Sequence, residues 1–272
     1  MKSDLLRDRF RGCLVGLAVG DALGAPVEFM TADEIASTHG RVDRYLGCGW
    51  CPPGQHTDDT EIALCIARSL VEHRAVVLSD IAQRFVHWMV TDGHGIGNQT
   101  AAVLQRVEDG DDPIEASLAV WERSGRQAAG NGGVMRCAPV ALFHWNQPQQ
   151  LVADSRETCR LTHPDPRCEL SCVAVNVAIA GLLRGDEAVA NTVTSAVAGG
   201  CPLLEEAIAS AKTTPPTALR VDDWDQGYTL VTTKLAFAAL FAGQSFEESL
   251  IAVVNRGGDA DTNGAVAAPA RP

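Results

Sequence analysis

Apolar residues recur at three- and four-residue steps along most of the chain. Strict alternation, the mark of a half-buried strand, never lasts beyond a few residues. The spacing predicts helices near residues 4–19, 60–72, 98–108, 133–143, 148–160, 186–198, 203–212 and 228–242. Further helices are announced by their starts. Asp112-Pro113-Ile114-Glu115 sets a capping carboxylate before a proline at the first helical position and an acid at the third. Ser245-Phe246-Glu247-Glu248 is a capping box ahead of Leu250, Ile251 and Val254. Asp165-Pro166 opens a helix carrying Leu170, Val173, Val177, Ala180 and Leu183, and Ser79 is expected to cap one carrying Ile81, Phe85, Trp88 and Met89. Residues 31–56 and 213–226 read as long connections, too short and too varied to tether separate domains. The expectation is one all-α domain over residues 1–272, built from roughly a dozen helices.

Composition narrows the function classes. A chain of 272 residues, 46% apolar and 21% charged, buries an ordinary core and is neither disordered nor fibrous. Its 22 basic against 34 acidic residues leave a formal charge of −12, which repels a phosphate backbone. No nucleic-acid partner is expected, although a small phosphorylated ligand remains compatible with a local site. No apolar run is read as reaching the ~20 residues needed to cross a bilayer, so no membrane partner is expected. Cys13-Leu14-Val15-Gly16-Leu17-Ala18-Val19 resembles a signal-peptide core, but acids and arginines are mixed ahead of it and Asp21 follows; it reads as a buried first helix. Nine scattered cysteines, an odd number, fit a reducing, cytoplasmic setting. Cys48-Gly49-Trp50-Cys51 has dithiol spacing, yet Pro52, Pro53 and Gly54 follow where a redox motif needs a helix start to lower a thiol pKa. Without a second such pair or a His pair at ligand spacing, a zinc site is equally poorly supported.

Two acidic clusters sit at loop-to-helix junctions, far apart in sequence. The first is Thr57-Asp58-Asp59-Thr60-Glu61; the second is Gly257-Gly258-Asp259-Ala260-Asp261-Thr262. Helix capping would explain one carboxylate in each. Each cluster holds a pair of aspartates beside a hydroxyl, and like charges repel unless a cation neutralises them. If the clusters converge, their all-oxygen donor set suits hard cations such as Mg²⁺, Mn²⁺ or Ca²⁺. Spacing alone leaves both explanations open. Gly130-Asn131-Gly132-Gly133-Val134-Met135-Arg136 could approach a ligand closely or simply start a helix. Glu28, beside Phe29 and Met30, is either a carboxylate raised for acid–base work or an exposed one. His163 lies in the loop Thr162-His163-Pro164-Asp165.

Together these segments resemble the ADP-ribosylglycohydrolase family. The resemblance is carried in order by Arg11-Gly12-Cys13 with Gly20-Asp21-Ala22-Leu23-Gly24 and Glu28, His56-Thr57-Asp58-Asp59-Thr60, the 130–136 segment, Thr162-His163-Pro164, and Gly257-Gly258-Asp259-Ala260-Asp261-Thr262-Asn263. It implies a compact, orthogonal all-α fold with two divalent cations, Mg²⁺ or Mn²⁺, in a cleft. Thr57, Asp58 and Asp59 would ligate from one side, and Asp259, Asp261 and Thr262 from the other. Glu28 and Asp59 would serve the chemistry, while Asn131, Gly132, Gly133, Met135 and His163 would line the ADP-ribose pocket. The loop N–H groups would hold the diphosphate, and Asp21 would support the structure. The implied reaction is hydrolysis of the bond joining ADP-ribose to a protein side chain, arginine foremost. The partners would be an ADP-ribosylated protein or a small ADP-ribosyl substrate, with a monomer compatible. Alternatives are serine-linked or O-acetyl ADP-ribose, and a non-catalytic relative that binds ADP-ribose. Two departures stand out. Gly95 occupies a place where relatives carry an acid before Ile-Gly, with Asp92 as a candidate substitute. Pro269 and Pro272 are expected to stop the last helix early, exposing apolar surface or leaving the second acidic loop loosely held.

Overall fold

The computed structural model describes residues 2–49 and 51–269, and among these it contains fourteen α-helices, three 3₁₀ turns and no strand. In chain order they are α1 (Lys2–Gly24), α2 (Ala32–His39), α3 (Asp58–His73), α4 (Leu78–Thr91), α5 (Asn98–Glu108), α6 (Pro113–Arg123) and α7 (Ala138–Phe143). There follow α8 (Pro148–Arg160), α9 (Pro166–Arg184), α10 (Val189–Val197), α11 (Pro202–Ala211), α12 (Thr229–Phe241), α13 (Phe246–Val254) and α14 (Ala260–Ala267).

Local chemistry explains most of the helix starts. Asp112 accepts from the N–H groups of Ile114 and Glu115, Asp165 accepts from that of Arg167, and Ser245 with Glu248 forms a reciprocal capping box. Three expectations need correction. Residues 31–56 are not one connection, because α2 lies within them; its capping box, Thr31 with Glu34, is a sequence signal of the same kind as Ser245 with Glu248. Ser79 does not cap α4, which begins one residue earlier behind an extended Val77. The segment 133–143 is helical only from Ala138, since residues 131–133 close a 3₁₀ turn.

Helix α9 runs through the main core, with Val173, Ala174, Ile179 and Ala180 fully buried, and its buried Asn176 donates to Ser155 Oγ at 2.8 Å. By length and composition, residues 4–27 and Pro166–Arg184 are apolar enough to cross a bilayer, contrary to the sequence expectation; 83% of the second stretch is buried inside the fold, as in a core helix.

The decisive packing joins the first helix to the last. Gly20 and Gly264 meet backbone to backbone, and Gly24 lies equally close to Ala260, so that a Cβ at any of the three glycines would overlap the opposite main chain. The crossing delivers Asp21 and Asp261 to one place. Every residue of α14 is buried, so the expectation of a loosely held second acidic loop is not met; Pro272 lies outside the described residues.

Candidate metal centre and cavity

Both acidic clusters begin helices, and in both the capping explanation fails. Neither Thr57 ahead of α3 nor Asp259 ahead of α14 makes a side-chain capping bond. Instead the two junctions face one another, and Asp21 holds the first of them. This carboxylate is fully buried at the end of α1. Its Oδ1 accepts from the Thr57 N–H at 2.9 Å and the Thr57 hydroxyl at 2.8 Å; its Oδ2 accepts from the Thr60 N–H at 3.0 Å and the Thr60 hydroxyl at 2.5 Å. Asp21 thereby clamps the start of α3 to the end of α1.

A hydroxyl has one proton, and Thr57 gives its proton to Asp21. Toward Asp59 Oδ2 at 3.4 Å and Asp261 Oδ2 at 3.5 Å it turns only lone pairs. Thr262 Oγ1 stands 3.4 Å from the same Asp59 oxygen, while Asp59 Oδ1 is buried with no hydrogen-bond partner. Carboxylate oxygens of Glu28, Asp259 and Asp261 lie within 4.8 Å of one another. Acceptors here outnumber donors, the Thr262 hydroxyl giving Asp59 only a single long hydrogen bond, and such an excess fits a cation site. Loops some two hundred positions apart thus meet at one centre, and Glu28 stands among the potential ligands as well as beside the cavity.

The electrostatics agree. Burial, reinforced by Asp259 and Asp21, pushes the Glu28 carboxyl up to about 7. Burial and then Asp21 push Asp58 up to about 8. Asp59 and Asp261 are driven well above the ordinary carboxylate range, chiefly by burial and then by neighbouring aspartates. Acids so crowded do not all ionise unless positive charge is supplied.

The centre floors a cavity of about 380 Å³, lined by Glu28, Asp58, Asp59, Asp259, Asp261, Thr262, Asn131, Gly132, Met135 and His163, among others. Gly133 is turned elsewhere, packed against Cys159 Sγ and the His163 Cβ. Asn131 is tied inward: its side-chain NH₂ donates to Asp259 Oδ2 at 2.8 Å and to Thr232 Oγ1 at 3.1 Å, and its N–H to the Gly227 carbonyl at 3.0 Å. That N–H is therefore not available to a diphosphate. Gly257 (φ 69°) and Gly258 (φ 66°) press on the backbones of Met30 and Val221, conformations and contacts that only glycine allows.

Two walls escaped the sequence reading. Phe29, at φ 63° and 61% exposed, stands at the cavity rim beside Glu28. The first turn of α5, Asn98, Gln99 and Thr100, forms one side behind Gly97, which has no side chain to cap the helix. Its sequence signal is the spacing of Gly93, Gly95 and Gly97 just ahead of Asn98. Gly95 borders Asp58: at φ 83°, a Cβ there would lie 2.8 Å from Asp58 Oδ1. Asp92 lies in a separate pocket with Glu61, Arg84 and His87 and does not substitute for an acid at Gly95.

The profile of the family described as ADP-ribosylglycohydrolase matches residues 2–269. The chain is 32% identical over 271 residues to the ADP-ribosyl-(dinitrogen reductase) glycohydrolase of Rhodospirillum rubrum, covering 98% of this chain and 85% of that one. It is 26% identical over 270 residues to the ADP-ribosylarginine hydrolase Tri1 of Serratia proteamaculans (strain 568), covering 94% and 68%. A solved structure described as an ADP-ribosylglycohydrolase-related protein complex superimposes with a TM-score of 0.82 at 32% identity, covering 98% of this chain and 87% of that one.

Proposed function

The chain belongs to the ADP-ribosylglycohydrolase family, a family of hydrolases, and on that premise we propose that it releases ADP-ribose from modified protein side chains, arginine foremost, with two Mg²⁺ or Mn²⁺ ions. The observation that carries the metal-dependent reading is the crowding of Thr57, Asp59, Asp261 and Thr262 oxygens beside Glu28 and Asp259, with Asp59 Oδ1 buried and without a hydrogen-bond partner. Thr57, Asp58, Asp59, Asp259, Asp261 and Thr262 would hold the cations, with Glu28 at their edge. When bound, such cations supply the positive charge that draws ribose oxygens in and makes water a better nucleophile.

The protein's own groups do the rest. Glu28, partly buried and held near neutrality, takes the proton of the attacking water. The surrounding carboxylates stabilise the positive charge that develops at the anomeric carbon as the bond to the side chain breaks. Asn131 fixes the Asp259 carboxylate that faces the sugar. The first turn of α5 turns uncapped N–H groups to the cavity, suited to a diphosphate. This agrees with an acidic chain that has no need of a lysine-rich pocket. The nine unpaired cysteines accord with a cytoplasmic setting, which we also propose.

The test is release of free ADP-ribose from an ADP-ribosyl-arginine protein, with serine-linked and O-acetyl ADP-ribose alongside. Release that needs Mg²⁺ or Mn²⁺ and stops with chelator is expected. No release with either metal, or indifference to chelator, overturns the proposal. A non-catalytic, ADP-ribose-binding role is favoured by one observation, that Gly95 leaves the wall beside Asp58 without a carboxylate. Calorimetric binding of ADP-ribose with no turnover of any linkage would select it.

A further inference from the structure

Arg136 is 1% exposed, and burying a guanidinium is costly unless it is well paired. Among the described residues no carboxylate lies within ion-pair distance of it. Its charge rests over the Phe85 ring, 4.6 Å from the centroid, and its Nε and one terminal nitrogen have no partner. The single oxygen it reaches is the Thr162 hydroxyl, at 2.6 Å, and that hydroxyl stands 2.7 Å from His163 Nδ1.

The number of protons available gives this chain a direction. A guanidinium only donates, so the Thr162 oxygen accepts from Arg136; among the described residues His163 Nδ1 is the one acceptor in reach of the hydroxyl's own proton, which is therefore directed there. Nδ1 is then the acceptor nitrogen, and the ring proton sits on Nε2. That nitrogen lies against Gly130 and Gly132, on the cavity side, with no partner in the protein among the described residues. Gly132 is required for this placement, since a Cβ there would come within 2.7 Å of the imidazole Cε1. A nearby buried cation also opposes a second proton on the ring: burial and then Arg136 lower the His163 pKa to about 3.

We infer that Arg136 is a positioning residue: acting through the Thr162 hydroxyl, it locks neutral His163 as the Nε2–H tautomer and so aims a hydrogen-bond donor at an acceptor oxygen of the substrate in the cavity. The identity of that substrate rests on the function proposed above; the proton relay does not. The relay uses an uncharged donor where a titrating imidazolium would weaken the cation site nearby.

Nitrogen-15 spectra of the histidine ring in the full-length, substrate-free protein read the tautomer directly, with His163→Gln assigning the signal among the seven histidines. The wild type should show acceptor-type Nδ1 and protonated Nε2. Thr162→Val, which removes the donor to Nδ1, and Arg136→Met should each produce a substantial Nδ1–H population, while Arg136→Lys should largely restore the wild-type pattern. In turnover assays, Thr162→Val should raise KM about tenfold or more, the scale of a lost hydrogen bond to a charged group, with kcat changed less. A wild-type ring protonated at Nδ1, or an unaltered tautomer in Thr162→Val, overturns the inference even if Arg136→Met fails to fold. Absence of turnover in the wild type would defeat the proposed function alone, because the spectra still decide the relay.

Discussion

Thr57 Oγ1 stands 3.5 Å from Asp261 Oδ2, across 204 positions of sequence, while its proton goes to Asp21. The relationship makes the centre a junction of three segments, with Asp21 as the clamp, and each segment predicts a different outcome when altered.

Asp59→Asn and Asp261→Asn keep the shape of the side chain and remove a charge. Turnover should fall at least about 100-fold, by the scale of lost metal-site groups. The metal-free fold should be unharmed or more stable, because each change relieves like-charge crowding. Steady-state assay together with thermal melting in chelator checks both halves.

In chelator, stability should fall as the pH rises. Glu28 and Asp58 carry folded-state pKa values of about 7 and about 8, above their ordinary 4.5 and 3.8, so the native state binds more protons than the unfolded one. Their contribution is complete below about pH 4 and is lost as pH passes up to about 8. Saturating Mg²⁺ or Mn²⁺ should raise the melting temperature by on the order of 5–10 °C and flatten the slope. Melting curves across pH 5–8, with and without metal, decide it; a rise toward pH 8 in chelator would contradict the crowding.

Asp21→Ala should cost about 3–5 kcal/mol, since four donors from Thr57 and Thr60 lose their acceptor in a buried place. Chemical denaturation measures it. A loss under 1 kcal/mol would mean that α3 is held by packing alone.

Gly95→Ala should weaken metal binding and lower stability by about 1 kcal/mol. The backbone conformation there disfavours a side chain, and the added methyl would press on Asp58. Titration of the metal by calorimetry compares the two proteins, and unchanged affinity would detach Asp58 from the centre.

The sequence revealed what depends on local chemistry. Caps at Asp112, Asp165 and Ser245 were readable because the capping side chain and the helix it starts are neighbours. The acidic loops were readable as an excess of carboxylates over what caps require. What depends on distant packing was hidden. Nothing local tells that the Asn131 amide reaches Asp259, or that Gly133 faces Cys159 while Gly132 faces the imidazole. The first turn of α5 contributes through its backbone, which leaves little trace in residue type. Arg136 reads as one more basic residue until its burial is seen.

The meeting of Gly20 with Gly264 places the candidate centre at the seam between α1 and α14, some 240 positions apart in the chain. A nascent polypeptide therefore carries Thr57, Asp58 and Asp59 for some two hundred further residues before Asp259, Asp261 and Thr262 are added. The carboxylates of the two loops can face one another only once α14 has docked on α1.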